Sequence, residues 1–141
     1  MIVRTLLLTL TLVGPVQATW VDIHVGSKHF GTTAKYNEQN WGLGLSKEYG
    51  DNYVISIGAY KNSINNTSVY ATGTVQTAKY NFIRLGLEAG LVTGYTDTVS
   101  PLIAPIVKVY LNDNITLNGR FIPAIEYITP AVASLSIGIR L

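Results

Sequence analysis

Ser27 and His29 stand two apart in the stretch SKHF. A hydroxyl beside an imidazole is the smallest set that can activate a nucleophile for acyl transfer. Residues two apart in an extended chain share a face, so the two side chains point the same way. Ser63, in the stretch YKNS, offers a second hydroxyl at the same end of its own strand. Glu38, in the polar segment GTTAKYNEQN, offers an acid able to orient the ring. Two strand spacings, about 10 Å, lie between Ser63 and His29, so they bond directly only where the rim bends inward. Lys28, Lys35 and Lys61 gather nearby and would meet anionic lipid headgroups. The plainer reading is a strand end whose Lys and His reach for an interface.

What must position these residues is a set of strands. In FIRLGLEAGL, Ile83, Leu85, Leu87, Ala89 and Leu91 alternate with Arg84, Gly86, Glu88 and Gly90. That period of two is a strand. WGLGLSKEY, YVISIGAY and the terminal SLSIGIRL repeat the pattern. Strands are expected near 20–29, 40–49, 53–62, 67–76, 80–93, 102–110, 115–124 and 131–141. Each has about the 9–11 residues that a tilted strand needs to cross a bilayer. Pro105 and Pro123 fall inside two of them, which calls for a bulge near each.

Which face is wet decides the class. The chain of 141 residues is 48% hydrophobic and only 13% charged, against about 25% charged in ordinary soluble domains. The non-apolar face is mostly Gly and Ser with isolated charges, as suits the crowded lumen of a narrow barrel. The apolar face then looks into lipid. The expected fold is all-β: an antiparallel transmembrane β-barrel of about eight strands. Ahead of it, Arg4, the apolar run from Leu6 to Val13, Gly14-Pro15 and the small Ala18 fit a signal peptide over 1–18, cleaved after Ala18. The barrel domain is then 19–141.

The connections agree. With the first strand running outward, GDN (50–52), TA (77–78) and LNDN (111–114) face the periplasm and are short. The outer connections 30–39, 94–101 and 125–130 are longer, the usual asymmetry. Trp20, Tyr49, Tyr53, Tyr80 and Tyr110 are expected as one aromatic girdle, and Phe30, Trp41, Tyr95 and Tyr127 as the other.

Inside so narrow a barrel an unpaired charge is costly. Asp22 with Arg140 would bridge the seam between the first and last strands. Glu88 with Arg120 would pair at mid-depth, with Arg84 or Lys108 nearby. His24 reads as a hydrogen-bonded interior residue, and one histidine without carboxylate spacing is no metal site. Ser27 and His29, by parity, are expected on the lipid face. A net charge of +2 with no basic run argues against nucleic acid, and zero cysteines exclude thiol chemistry. No metal or cofactor is expected, and the barrel would be monomeric.

The strand pattern, the girdles and the alternating apolar terminal strand together resemble the small outer-membrane β-barrel proteins. That family includes adhesion and defence barrels and the lipid A palmitoyltransferase and deacylase. The resemblance covers the whole mature chain and implies an outer-membrane location, with the outer-membrane assembly machinery and lipopolysaccharide as partners. The family usually ends in Phe, whereas this chain ends in Leu141. The deacylases carry His and Ser one residue apart on a lipid-facing strand; here the order is reversed, Ser27-Lys28-His29. The palmitoyltransferases place His, Asp and Ser in outer loops, and Asn62 stands where an acid would be wanted. The leading expectation is a barrel that works through its outer loops and rim in binding, envelope protection or surface exclusion, and not as a general porin. The alternatives are a lipid A acyl-modifying enzyme using His29 with Ser63 or Ser27, and a soluble periplasmic barrel that binds a small ligand.

Overall fold

The computed structural model describes residues 16–95, 99–122 and 130–141. Pro123 and Tyr127 lie outside them. Eight strands form: β1 (Val16–Phe30), β2 (Gly42–Tyr49), β3 (Tyr53–Lys61), β4 (Thr67–Gln76), β5 (Ile83–Val92), β6 (Ser100–Tyr110), β7 (Ile115–Ile122) and β8 (Ala131–Arg140). Each pairs antiparallel with the next, and β1 closes onto β8, giving a closed barrel. Closure joins the first strand to the last, which is what a sheet in lipid requires. The first strand begins at Val16, so the expected cleavage after Ala18 would leave Thr19 at its start.

The molecule is inside out relative to a soluble domain. Among the described residues five apolar side chains are buried, against fourteen polar or charged ones. Leu43, Ile57, Leu87, Leu91 and Ile103 all stand exposed on the outer wall. An apolar surface this extensive calls for lipid around it. The alternation read from β2, β3, β5 and β8 is the observed one.

The small lumen residues make room for large ones. Tyr70 crosses the interior, and a Cβ at Gly58 would lie 2.6 Å from its ring. Its hydroxyl meets His24 Nε2 at 2.8 Å. Below, Arg120 grips Glu88 with two bonds, Nε to Oε1 at 2.6 Å and one Nη to Oε2 at 2.9 Å. Lys108 and Glu48 approach to 3.6 Å. The axis is therefore filled by side chains, as an eight-strand circumference dictates.

Several expectations are corrected. Trp20 is buried, not part of a girdle; it packs edge-on against Tyr110 with ring centroids 6.1 Å apart. It shares the parity of Asp22 and His24, so it must face the lumen with them. Tyr95 also turns from the girdle, since its hydroxyl bonds that of Tyr60 at 3.1 Å. Phe30 and Trp41 remain exposed at the outer end, and Tyr53 and Tyr80 at the periplasmic end, where Phe82 joins them. The β4–β5 connection is longer than TA, spanning 77–82 around a Tyr80–Ile83 bridge. No bulge marks Pro105, which pairs with Leu87 in register. Its missing N–H is tolerated because the ladder from β6 to β7 runs only over Ile106–Tyr110 and stops just short of it.

The largest correction concerns β1. Its register with β8 shifts between His24 and Gly26, a β-bulge. An extra residue reverses the facing of everything beyond it. Ser27 now stands opposite Ser134, and His29 opposite Val132, both inward positions of β8. Ser27 and His29 therefore face the mouth of the barrel, and Lys28 and Phe30 take the outer face.

Candidate functional site

The polar residues of the outer mouth converge on His29. Its Nε2 lies 3.1 Å from Ser63 Oγ. Its Nδ1 lies 3.5 Å from Glu38 Oε1. The ring stacks on Tyr36 at 4.5 Å, nearly parallel, which limits its rotation. The His29 side chain is only 5% exposed, and its Nδ1 makes no hydrogen bond. With the proton on Nδ1 facing Glu38, Nε2 is free to accept from the Ser63 hydroxyl. The two serines thus differ: Ser63 addresses the imidazole, whereas Ser27 Oγ donates to Asn40 Oδ1 and supports the loop.

His29 lies on β1 and Ser63 in the turn after β3, with β2 between those strands, so two loops must lean over the mouth. Glu38 is secured twice: its carbonyl accepts from Ser27 N–H at 3.0 Å, and its carboxylate accepts from His29 N–H at 2.9 Å. That backbone N–H, followed by the Lys28 charge, holds the Glu38 carboxyl below the usual carboxylate range, so it is ionised at neutral pH. Asn37 ties the first loop to the second: its N–H donates to Ser63 O at 2.9 Å and its amide to Asn62 O at 3.1 Å.

Asn62 is fully buried and builds the turn that presents Ser63. Its Oδ1 accepts from the N–H groups of Ile64 and Asn66, both at 3.0 Å. Its amide donates to Ser68 Oγ and to Gly94 O, both at 2.9 Å. Asn65, at φ 63, completes the tight return. Asn62 is thus a scaffold residue, and the acid comes from the first loop. Asn40 repeats the device, donating to Lys61 O at 2.9 Å. The roles of Asn37, Asn40, Asn62 and Tyr36 escaped the sequence reading. Their signal was the Asn-rich composition of two neighbouring outer segments, YNEQN and KNSINN.

The remaining candidates fall elsewhere. Lys28, Lys35 and Lys61 are exposed around the rim, and Lys28 Nζ lies 3.9 Å from Glu38. Glu88 and Arg120 are brought together at mid-depth. Asp22 and Arg140 are not: Asp22 takes its hydrogen bond from Ser46, while Arg140 is exposed at the periplasmic end. Register explains this, since Arg140 lies opposite Trp20 and Asp22 opposite Gly138. Lys108 turns to Glu48, and Arg84 donates to the Asp51 carbonyl, so neither joins Glu88.

The arrangement is similar in fold to known membrane barrels. A de novo designed transmembrane β-barrel matches over 88% of this chain and 95% of its own, with TM-score 0.66 and 12% identity. The N-terminal β-barrel domain of Pseudomonas aeruginosa OprF matches over 90% of this chain and 100% of its own, at 0.56 and 15%. The Yersinia pestis outer membrane protein Ail, solved in a phospholipid bilayer nanodisc, matches over 88% and 99%, at 0.56 and 10%. No protein-family model and no curated protein matches the chain. At such identities the likeness speaks for the fold: a closed eight-stranded transmembrane β-barrel of the outer-membrane type, with the outer membrane as the location it supports.

Proposed function

We propose that this barrel is an outer-membrane acyl-ester hydrolase or acyltransferase whose nucleophile is Ser63. His29 is the general base and Glu38 the residue that orients it. One observation carries the reading: Ser63 Oγ lies 3.1 Å from His29 Nε2 while Glu38 stands 3.5 Å beyond Nδ1. In the reaction His29 Nε2 takes the Ser63 proton as Oγ attacks the ester carbonyl. The charge gained by the ring is met by ionised Glu38. The proton then passes to the departing alcohol, and water or a second alcohol completes the cycle.

A barrel acting by binding alone has no need of a buried imidazole with one nitrogen on a hydroxyl and the other beside a carboxylate. Hence catalysis is preferred over binding, protection or surface exclusion. The partners of this reading are lipids or glycans of the outer leaflet, lipopolysaccharide among them, with Lys28, Lys35 and Lys61 drawing anionic headgroups to the rim. The barrel would act as a monomer.

The test is a serine-directed fluorophosphonate on the full chain folded in detergent micelles, its folding checked by heat-modifiable migration. Labelling should map to Ser63 and disappear in His29→Ala. A folded barrel that takes no label would overturn the proposal.

A further inference from the structure

Beneath Ser63 the barrel is hollow for only a short distance. A cavity of about 70 Å³ opens at the outer mouth with Ser63 on its edge. Leu102, Ile122 and Val132 supply apolar wall, and Tyr60 with Tyr95 closes another side through the hydroxyl pair at 3.1 Å. The floor is different in kind. His24, Tyr70, Glu88 and Arg120 line this cavity and also a second one, of about 40 Å³, immediately below. They are cross-tied by the His24–Tyr70 bond and by the two-bond Arg120–Glu88 pair. An apolar tail reaching that level would have to separate a buried ion pair, which is strongly unfavourable.

From this geometry we infer that the acyl group accepted by Ser63 is short, about two to four carbons, a size set by comparison with an apolar cavity of about 150 Å³ that holds six-carbon benzene. The inference rests on the nucleophile reading above and names its substrate class: a short-chain O-acyl ester presented at the outer surface. The small acyl group enters the cavity, and the larger alcohol portion stays outside among the rim lysines. The bond from Ser63 Oγ to the acyl carbon forms as the ester C–O bond breaks, with the hydroxyl proton delivered through His29 Nε2 to the departing oxygen. Water then adds to the acyl carbon, Ser63 recovers its proton, and a short carboxylic acid leaves. Among the described residues, another route for a long fatty chain lies sideways, between Pro101–Pro105 of β6 and Phe121–Ile122 of β7, where the two strands are not laddered.

The experiment is a chain-length series of p-nitrophenyl esters, acetate through butyrate and octanoate to laurate, on the full chain in detergent micelles. A matching series of short- and long-alkyl fluorophosphonates is scored by rate of Ser63 labelling. Acetate and butyrate should exceed octanoate in kcat/KM by about tenfold or more, the scale on which an apolar pocket rejects excess methylenes. Ser63→Ala should remove the activity. Leu102→Ala and Ile122→Ala should move the optimum towards longer chains. Ser63-dependent turnover or labelling that favours octanoate or laurate overturns the short-acyl inference while leaving the nucleophile in place. A folded barrel inert to every ester and every fluorophosphonate overturns both.

Discussion

The outer mouth and the middle of the lumen hold the same kinds of residue in opposite condition. At mid-depth the central charges are paired with one another: Glu88 takes two bonds from Arg120 and one from Thr72, and Lys108 faces Glu48. At the mouth the polar atoms are positioned without being used up. His29 keeps one nitrogen on the Ser63 hydroxyl and the other without a hydrogen bond, beside an ionised carboxylate. Around that pair, Asn37, Asn40 and Asn62 spend their amides on backbone carbonyls and on the Ser68 hydroxyl. A charge pair locked on itself builds structure, whereas an imidazole held between a hydroxyl and a carboxylate is available for chemistry.

The contrast can be broken by substitution, and the largest effect is expected at the mouth. Ser63→Ala or His29→Ala should lower ester turnover by about a thousandfold or more, as loss of a nucleophile or its base does. Heat-modifiable migration should be preserved. An equal loss of folding in both would make the mouth a structural network like the lumen.

At mid-depth the reverse is expected. Glu88→Ala leaves the Arg120 guanidinium buried without its partner, which costs about 3–5 kcal/mol. Denaturant unfolding from micelles would measure it. The double replacement of Glu88 and Arg120 by apolar residues should recover much of that loss. If Glu88→Ala were silent in stability and reduced turnover alone, the lumen pair would belong to the site.

Glu38→Gln sharpens the contrast by removing charge and keeping shape. It should reduce kcat by about a hundredfold, within the range for acid–base assistance, with KM little changed. The sign of the pH dependence follows from a folded value held below the usual carboxylate range. Glu38 therefore stays ionised to lower pH than an ordinary glutamate, and the gap between native and variant should persist correspondingly further down. It should close only at lower pH, when Glu38 itself takes a proton. A gap closing above the carboxylate range would assign the orienting role elsewhere.

The smallest effect is expected at the exposed lysines. Lys28→Ala and Lys61→Ala should each weaken association of substrate in anionic vesicles by about 1 kcal/mol, and the loss should fade as salt rises. Soluble neutral esters should be turned over as before.

The strand plan was legible because a period of two cannot be mistaken where Gly and Ser alternate with Leu and Ile, as in Trp41–Ser46 and Ile83–Leu91. Parity also placed Glu88 and Arg120 inside. The same parity would have put Trp20 in the lumen beside Asp22 and His24, had its position at a strand end not suggested a girdle. His29, Ser63 and Glu38 could be named by residue type, and the structure sets the three side by side.

Their meeting was not legible. Alternation assigns faces only while the ladder is unbroken, and one extra residue between His24 and Gly26 turned Ser27 and His29 from lipid to lumen. Gly26 in HVGSKH permits a bulge, but its place is fixed by register with β8, more than a hundred residues away. Nor does strand spacing foretell that two loops, joined by Asn37 and the Ser63 carbonyl, bring an atom of β1 and one of the turn after β3 to 3.1 Å. Sequence alone determined the barrel, its strand order and its greasy exterior, since these follow from local periodicity and short connections. Tertiary structure decided which way the histidine faces, which serine it meets and how deep the space beneath them runs, since register and loop docking are relations between segments distant in the chain.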